Sequence, residues 1–308
     1  MAETRANKTK RAKRVTERGD LNKYRPVCKK NPGHELFIPV PEFTVNNLPE
    51  GFRDSNIYEA IRALADLTVR IDVTYTSPDR PEFYPGTDAP YPFYHERESH
   101  VMRTGSGWVE EVRKYGKADN KACPCFACQQ LPTPSKVWGE CHVVTAALVV
   151  FDDVEARHTT CRVGFDSSTI QGVNLDGVQI VTTDIAGDRC VFSCVTHDIA
   201  LIDRLEKTMD LYETLDWKVN SKYFPTKDKH KVAIIVSHPH GCAKQVSIGK
   251  WIYRLDLGKD RTKYTYNTCT CPGSTGAPVY ILGRDGGISN HNHSGANADG
   301  NYSGTWQG

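Results

Sequence analysis

The chain has 308 residues, 39% hydrophobic and 25% charged, which is typical of a globular protein with a sizeable core. Its formal net charge of +2 indicates nothing about a partner, and no apolar run is long enough to span a membrane. The first residues are basic rather than apolar, so we expect no signal peptide, no membrane partner and an intracellular location, either cytoplasmic or nuclear.

The first third of the chain predicts a tail followed by a small extension. Residues 1–20 are rich in Lys and Arg without apolar periodicity, which predicts a disordered tail. Two interpretations of this tail stay open, a solvated segment and a nucleic-acid or nuclear-import patch. Residues 21–99 predict an α+β extension with a helix over about 54–67, a strand at Val69–Tyr75 and, over 77–95, a Pro-rich linker or an extended wrapping loop.

From residue 100 onward the sequence predicts a mainly β domain that continues to residue 308. Short β-branched runs alternate with Gly, Asp, Asn and Pro at close intervals, a pattern typical of barrels and sandwiches. A helical pattern from Leu201 to Leu215 interrupts these strands. We therefore expect two groups of short strands with one helix between them.

Three segments, in order, carry a resemblance to a known family. They are Val144-Thr-Ala-Ala-Leu, Thr196-His-Asp-Ile-Ala-Leu and Cys271-Pro-Gly-Ser-Thr-Gly-Ala-Pro. Together they resemble the base, acid and nucleophile segments of trypsin-like (chymotrypsin-fold) serine proteases. The resemblance implies a chymotrypsin-like double β-barrel over residues 100–308, with Leu148, Asp198 and Thr275 at the triad positions.

Two of these three positions depart from the family pattern. Leu148 replaces the histidine that acts as general base, and a leucine cannot accept a proton. Thr275 replaces the nucleophilic serine and adds a methyl group that restricts its side chain. The favoured interpretation is a catalytically inactive homologue, a pseudoprotease that binds a peptide or protein.

Two alternatives stay open, and whether the chain is an enzyme stays open with them. The first is an active intracellular endopeptidase that uses Thr275 or Ser274 with a displaced base. Candidate replacement bases are the histidines near the resembling segments, namely His142, His158, His197, His238 and His240. The second alternative is a nucleic-acid-associated protein that acts through residues 1–20.

The resemblance also implies binding residues around the nucleophile position. The backbone amides of Gly273 and Thr275 correspond to the oxyanion hole of the family. His293, Ser294 and Gly295 resemble the strand that contacts the substrate in glutamate- or glutamine-preferring members. A polar turn without a binding role is the alternative for this last segment.

A cluster of three cysteines indicates a candidate metal site. Cys123, Cys125 and Cys128 are close enough in sequence to share one Zn²⁺ ion, with Cys141 or His142 as candidates for a fourth ligand. Free thiols and a disulfide or redox role are the alternatives. No cofactor is required by the predicted chemistry, and zinc would be structural.

Overall fold

The computed structural model describes residues 28–258, 261–284 and 290–307, so the predicted tail over 1–20 lies outside it. The α-helices are α1 (Ser55–Leu67), α2 (Phe126–Gln129), α3 (Asp153–Arg157) and α4 (Ile199–Tyr223). The strands are β1 (Phe37–Pro39), β2 (Thr68–Val73), β3 (Arg103–Tyr115), β4 (Trp138–Thr145), β5 (Thr159–Val163), β6 (Val173–Asp184), β7 (Arg189–Thr196), β8 (Val232–Ser237), β9 (Gln245–Asp256), β10 (Arg261–Tyr266), β11 (Pro278–Ile281), β12 (His291–Asn297), β13 (Gly300–Ser303) and β14 (Trp306–Gln307).

Two closed antiparallel barrels follow one another along the chain. The first has the strand order β2-β3-β4-β7-β6-β5. The second has the order β9-β8-β11-β12-β13-β10 and is closed by pairing of β9 with β10. The predicted double β-barrel is therefore confirmed. Closure removes the free strand edges that an open sheet would expose.

The predicted boundary at residue 100 is wrong, because the first barrel begins earlier. Strand β2 pairs with both β3 and β5, and its side chains at Val69, Ile71 and Val73 are buried. Without β2 the first barrel would be open between β3 and β5. Strand β1 belongs to the second barrel, where it pairs with the edge of β9.

Both predicted helices are present. Helix α1 begins after Asp54, whose carboxylate accepts a hydrogen bond from Asn56 N, and it ends at Leu67. Helix α4 is longer than the predicted segment and connects β7 of the first barrel to β8 of the second. The two helices pack against each other, and α4 also packs on β3 and β4.

The Pro-rich segment over 77–95 is a loop that packs on the first barrel, which is the second of the two alternatives for this segment. Arg80 is fully buried and makes two hydrogen bonds of 2.7 Å to the buried carboxylate of Glu155. Arg103 adds a third contact to the same carboxylate at 3.0 Å. This paired and hydrogen-bonded charge cluster fixes the loop against the first barrel.

Candidate functional site

The segment at the predicted base position lies directly after β4. Leu148 is half-buried and packs against the hydrophobic core. Its backbone N–H donates to Asp188 Oδ1 at 3.0 Å, and its carbonyl accepts from Arg80 Nη2 at 3.0 Å. Both backbone groups are thus held in place. We call residues 145–150 the base segment.

Asp188 is the carboxylate that faces the base segment. It immediately precedes β7, which pairs with β4 so that Cys190 lies opposite Thr145. The second carboxylate oxygen of Asp188 accepts a hydrogen bond from the hydroxyl of Ser294. Burial raises the pKa of Asp188 to about 7, although these hydrogen bonds act in the opposite direction.

The structure contradicts the assignment of Asp198 as the acid of this site. Asp198 lies beyond the other end of β7 and caps α4, where its carboxylate accepts from Leu201 N at 2.9 Å. The strand between the two aspartates has eight residues, so their separation is about 25 Å. The motif Asp-Ile-Ala-Leu begins a helix here because Asp is a favourable N-cap residue.

The turn at the predicted nucleophile approaches the base segment closely. We call residues 271–276 the nucleophile turn. Gly276 has φ of +86°, and a Cβ atom there would lie 2.1 Å from Thr145 Oγ1 and 2.2 Å from the Ser106 carbonyl oxygen. Only glycine fits such an approach. The Thr275 carbonyl accepts from Ser106 N at 2.8 Å, which joins the turn to β3.

The Thr275 side chain has no partner that could act as a base. It is half-buried, and its hydroxyl makes no hydrogen bond to any residue within 28–258, 261–284 and 290–307. Ser274 points elsewhere. Its hydroxyl is buried, lies 3.0 Å from Ser237 Oγ and accepts from Cys271 N at 3.2 Å. Nothing in this geometry favours Ser274 as the nucleophile.

The backbone of the nucleophile turn has the orientation expected of an anion-binding site. The Pro272 carbonyl accepts from His240 N at 2.5 Å, so the Gly273 N–H of the same trans peptide points the opposite way. The Gly273 carbonyl accepts from Ser106 Oγ at 2.7 Å. Within the described part of the chain, the amides of Gly273 and Thr275 donate to no protein acceptor, whereas Gly276 N donates to the His293 carbonyl.

Strand β12 carries the predicted substrate-binding residues beside the nucleophile turn. His293 N donates to the Ala277 carbonyl at 2.8 Å, and His293 Nδ1 lies 2.8 Å from Tyr266 Oη. Burial, with a smaller effect of the Lys30 charge, lowers the pKa of His293 to about 3, so its ring is neutral at pH 7. A Cβ atom on Gly295 would lie 2.7 Å from Tyr302 Oη.

The histidines considered as replacement bases have other partners. His142 contacts Glu111 at 2.8 Å, and His158 Nδ1 lies 2.8 Å from the Val154 carbonyl. His238 Nδ1 lies 2.9 Å from the Cys242 carbonyl. His197 and His240 each belong to a cluster with cysteines. A displaced base from this set therefore has no support in the structure.

A cleft of about 270 Å³ lies beside Asp188 and Ser294. Its other walls come from the Pro-rich loop, through Tyr84 and Pro85, and from Lys263 and Tyr302 of the second barrel. The Lys263 ammonium lies 4.3 Å from the centre of the Tyr302 ring. The cleft therefore has one cationic group, Lys263, and two aromatic groups, Tyr84 and Tyr302, on its walls.

The three predicted cysteine ligands come together with a fourth residue that the sequence did not indicate. Cys123, Cys125, Cys128 and His197 have ligand atoms within 4.8 Å of one another. His197 Nε2 lies 3.1 Å from Cys123 Sγ and 3.4 Å from Cys128 Sγ. We call this set the Cys123 cluster.

Neither residue predicted as the fourth ligand of the Cys123 cluster is part of it. Cys141 is buried within β4, where burial raises the pKa of its thiol. His142 contacts Glu111 and Glu140 instead. His197 was missed because it is distant in sequence, although it follows β7 directly and Thr196 pairs with Gly139 at the start of β4.

Comparison with solved structures finds similarity to serine proteases. The HtrA-type protease AlgW with a decapeptide is 11% identical with a TM-score of 0.41, covering 80% of this chain and 62% of that one. The Rv3671c protease in an inactive form is 13% identical with a TM-score of 0.38, covering 80% and 86%. A serine endoprotease from Yersinia pestis is 11% identical with a TM-score of 0.40, covering 81% and 61%.

The chain thus spans about three fifths of the length of AlgW. No family model matches the sequence, and no curated protein matches it. Among the described residues, no helix has both the length and the apolar character needed to cross a membrane.

Proposed function

We propose that this protein is a serine-peptidase homologue without peptidase activity that binds a peptide or protein segment. The observation that carries the proposal is the environment of Asp188. Its carboxylate is hydrogen-bonded to the backbone of Leu148 and to the hydroxyl of Ser294, at the place where an acid would orient an imidazole. This arrangement supports the proposal because a carboxylate faces the base segment while the side chain at position 148 cannot accept a proton.

The loss of the base removes the means to activate Thr275. A hydroxyl is a weak nucleophile at neutral pH unless a neighbouring group takes its proton. Leu148 offers only methyl groups, and the described histidines near the cleft have other partners. Peptide hydrolysis by the usual route therefore lacks its first step.

The binding half of the site supports a ligand. The amides of Gly273 and Thr275 are oriented to donate to a carbonyl or carboxylate oxygen. His293 is buried and held by Tyr266 through Nδ1, so its ring orientation beside the nucleophile turn is fixed. A neutral imidazole suits an uncharged amide side chain such as glutamine better than a carboxylate, because it adds no charge to the pair.

The Cys123 cluster is proposed to bind a structural Zn²⁺ ion outside this cleft. Three thiolates and one imidazole form a common tetrahedral zinc site. The ion would join the long β3–β4 connection to the end of β7, because its ligands come from both places.

A fluorophosphonate probe tests the proposed loss of activity. The wild-type protein is expected to remain unlabelled. The Leu148→His, Thr275→Ser double variant is expected to be labelled on the hydroxyl introduced at position 275, because acid and oxyanion groups are in place. Labelling of the wild-type protein at Thr275 would overturn the proposal, since it would require an active base.

The two aspartates provide a matched control for the restored variant. Adding Asp188→Asn to the double variant should reduce labelling by about 10⁴-fold, as expected when the acid that orients the base is neutralised. Adding Asp198→Asn should leave labelling unchanged, because asparagine is also a favourable N-cap residue. Peptide binding is measured separately, by calorimetry with glutamine- and glutamate-terminated peptides.

A further inference from the structure

A second group of cysteines and histidines lies behind the nucleophile turn. Cys28, His34, His240 and Cys271 have ligand atoms within 4.8 Å of one another, and we call them the Cys28 cluster. Cys28 and Cys271 are separated by 243 residues in sequence. The cluster therefore joins the beginning of the described chain to the turn that carries Thr275.

The distances within the Cys28 cluster match the edges of a tetrahedral site. With zinc–sulfur and zinc–nitrogen bonds of about 2.3 and 2.05 Å, tetrahedral geometry requires separations of about 3.8 Å between sulfurs and about 3.3 Å between nitrogens. The Sγ atoms of Cys28 and Cys271 are 3.6 Å apart. The Nε2 atoms of His34 and His240 are 3.2 Å apart.

Hydrogen-bond donors face both sulfurs of the Cys28 cluster. Asn31 N donates to Cys28 Sγ at 3.4 Å, and Asn31 Nδ2 donates to Cys271 Sγ at 3.2 Å. Donors of this kind stabilise negative charge on a metal-bound sulfur and orient it. The one asparagine therefore supports both thiols of the cluster from the same loop.

The backbone and burial of the cluster indicate a built site. His34 and His240 have φ of +53° and +55°, a conformation that non-glycine residues seldom adopt and that must be held by surrounding contacts. Cys28, His34 and Cys271 are buried, and His240 is half-buried. Four converging soft and imidazole ligands with little solvent access are typical of structural zinc rather than catalytic zinc.

We propose that the Cys28 cluster binds one Zn²⁺ ion and fastens the segment over 28–34 to the nucleophile turn. The ion would hold Cys271 directly. It would also hold the peptide between Pro272 and Gly273, because His240 N donates to the Pro272 carbonyl. It would also fix Lys30, whose ammonium donates to Thr270 Oγ1 at 2.8 Å. The proposal concerns the shape of the turn and does not depend on whether the protein cleaves peptides.

Zinc stoichiometry of the full-length protein tests the proposal. Protein purified under reducing conditions and equilibrated with zinc sulfate is analysed by mass spectrometry of the metal. The Cys128→Ser variant, which disables the Cys123 cluster, should retain one zinc ion per chain. Adding Cys271→Ser should remove that ion, whereas adding Cys269→Ser should not, because Cys269 is nearby but outside the cluster.

X-ray absorption of the zinc bound to the Cys128→Ser variant identifies the ligands directly. This measurement does not depend on whether the variants with a second substitution fold. Two sulfur neighbours at about 2.3 Å and two nitrogen neighbours at about 2.0 Å are expected. The proposal is overturned if the Cys128→Ser protein binds no zinc, if the ion survives Cys271→Ser, or if Cys28 and Cys271 are joined as a disulfide in the purified protein.

Discussion

The two sides of the candidate site differ in the groups that they present. The base segment of the first barrel has the Asp188 carboxylate hydrogen-bonded to its backbone but an aliphatic side chain at Leu148. The nucleophile turn of the second barrel has the close approach of Gly276 to the first barrel and, among the described residues, two backbone amides, those of Gly273 and Thr275, that donate to no protein acceptor. The comparison teaches that the side chain at position 148 and the backbone of the turn can change separately, because they lie on separate barrels.

Glu155 should be the most costly residue to change on the base side. Glu155→Gln would leave Arg80 and Arg103 without their carboxylate partner in a buried site, and we expect a loss of about 3–5 kcal/mol in unfolding free energy. Chemical denaturation measures the effect. The control Asp203→Asn, which alters an exposed pair with Lys114, should cost far less, because water screens the attraction between exposed charges. Equal losses in the two variants would show that the buried cluster does not hold the base segment.

Gly276→Ala should lower the unfolding free energy by about 3 kcal/mol. The loss arises from an unfavourable backbone conformation and from overlap of the added methyl group with Thr145 and Ser106. Gly164→Ala is the matched control, since Gly164 also has positive φ but a Cβ atom there meets nothing within 4 Å. That variant should lose only the backbone contribution, about 1–2 kcal/mol. Thermal unfolding distinguishes the two, and similar losses would contradict the close approach between the two sides.

Asp188→Asn should have an effect that depends on pH. Burial raises the pKa of Asp188 from 3.8 to about 7, so the folded state holds a proton that the unfolded state releases between these values. Wild-type stability should therefore fall as pH rises from about 4 to about 7. The substitution removes this dependence, so we expect a higher unfolding free energy than that of the wild-type protein at pH 8, with little change at pH 4.

Unfolding curves at the two pH values measure this effect, with Asp198→Asn as the control. A gain of the same size at pH 4 would show that the effect does not arise from ionisation of Asp188. A pH profile unchanged by Asp188→Asn would mean that another group carries the dependence.

The fold could be predicted because its signals are local. Turn residues between β-branched runs indicated the barrels, and the capping residue Asp54 with periodic apolar positions indicated α1. The glycines of the nucleophile turn and Leu148 were recognised from the resemblance of short segments to the family pattern. The positive φ of Gly276 and its close approach to Thr145 give a physical reason why a glycine stands there.

The acid was misassigned because a short motif was given more weight than strand order. Asp198 begins a run that matches the family letters, but that run forms α4. The predicted strand over Cys190–Val195 could have indicated the answer, because the acid must precede the strand that pairs with β4. Asp188 occupies that place, and the loop lengths that put it there follow no local rule.

The two clusters of cysteines and histidines could also be predicted only where their members are close in sequence. Three members of the Cys123 cluster are neighbours in sequence and were found, whereas His197 comes from another strand end. The Cys28 cluster has no local signal for its assembly, since Cys28 and Cys271 are brought together only by the closed second barrel. Nothing in spacing or composition identifies such a set.

The placement of β1 has a consequence for synthesis on the ribosome. Phe37 pairs with Ser247, so β1 must wait for β9, made about two hundred residues later, before its backbone groups gain these hydrogen-bond partners. Chains are made at roughly 5–20 residues per second, which leaves β1 without β9 for about 10 s or longer. We expect the first barrel to close during this interval, whereas β1 can join the second barrel only after β9 has been made.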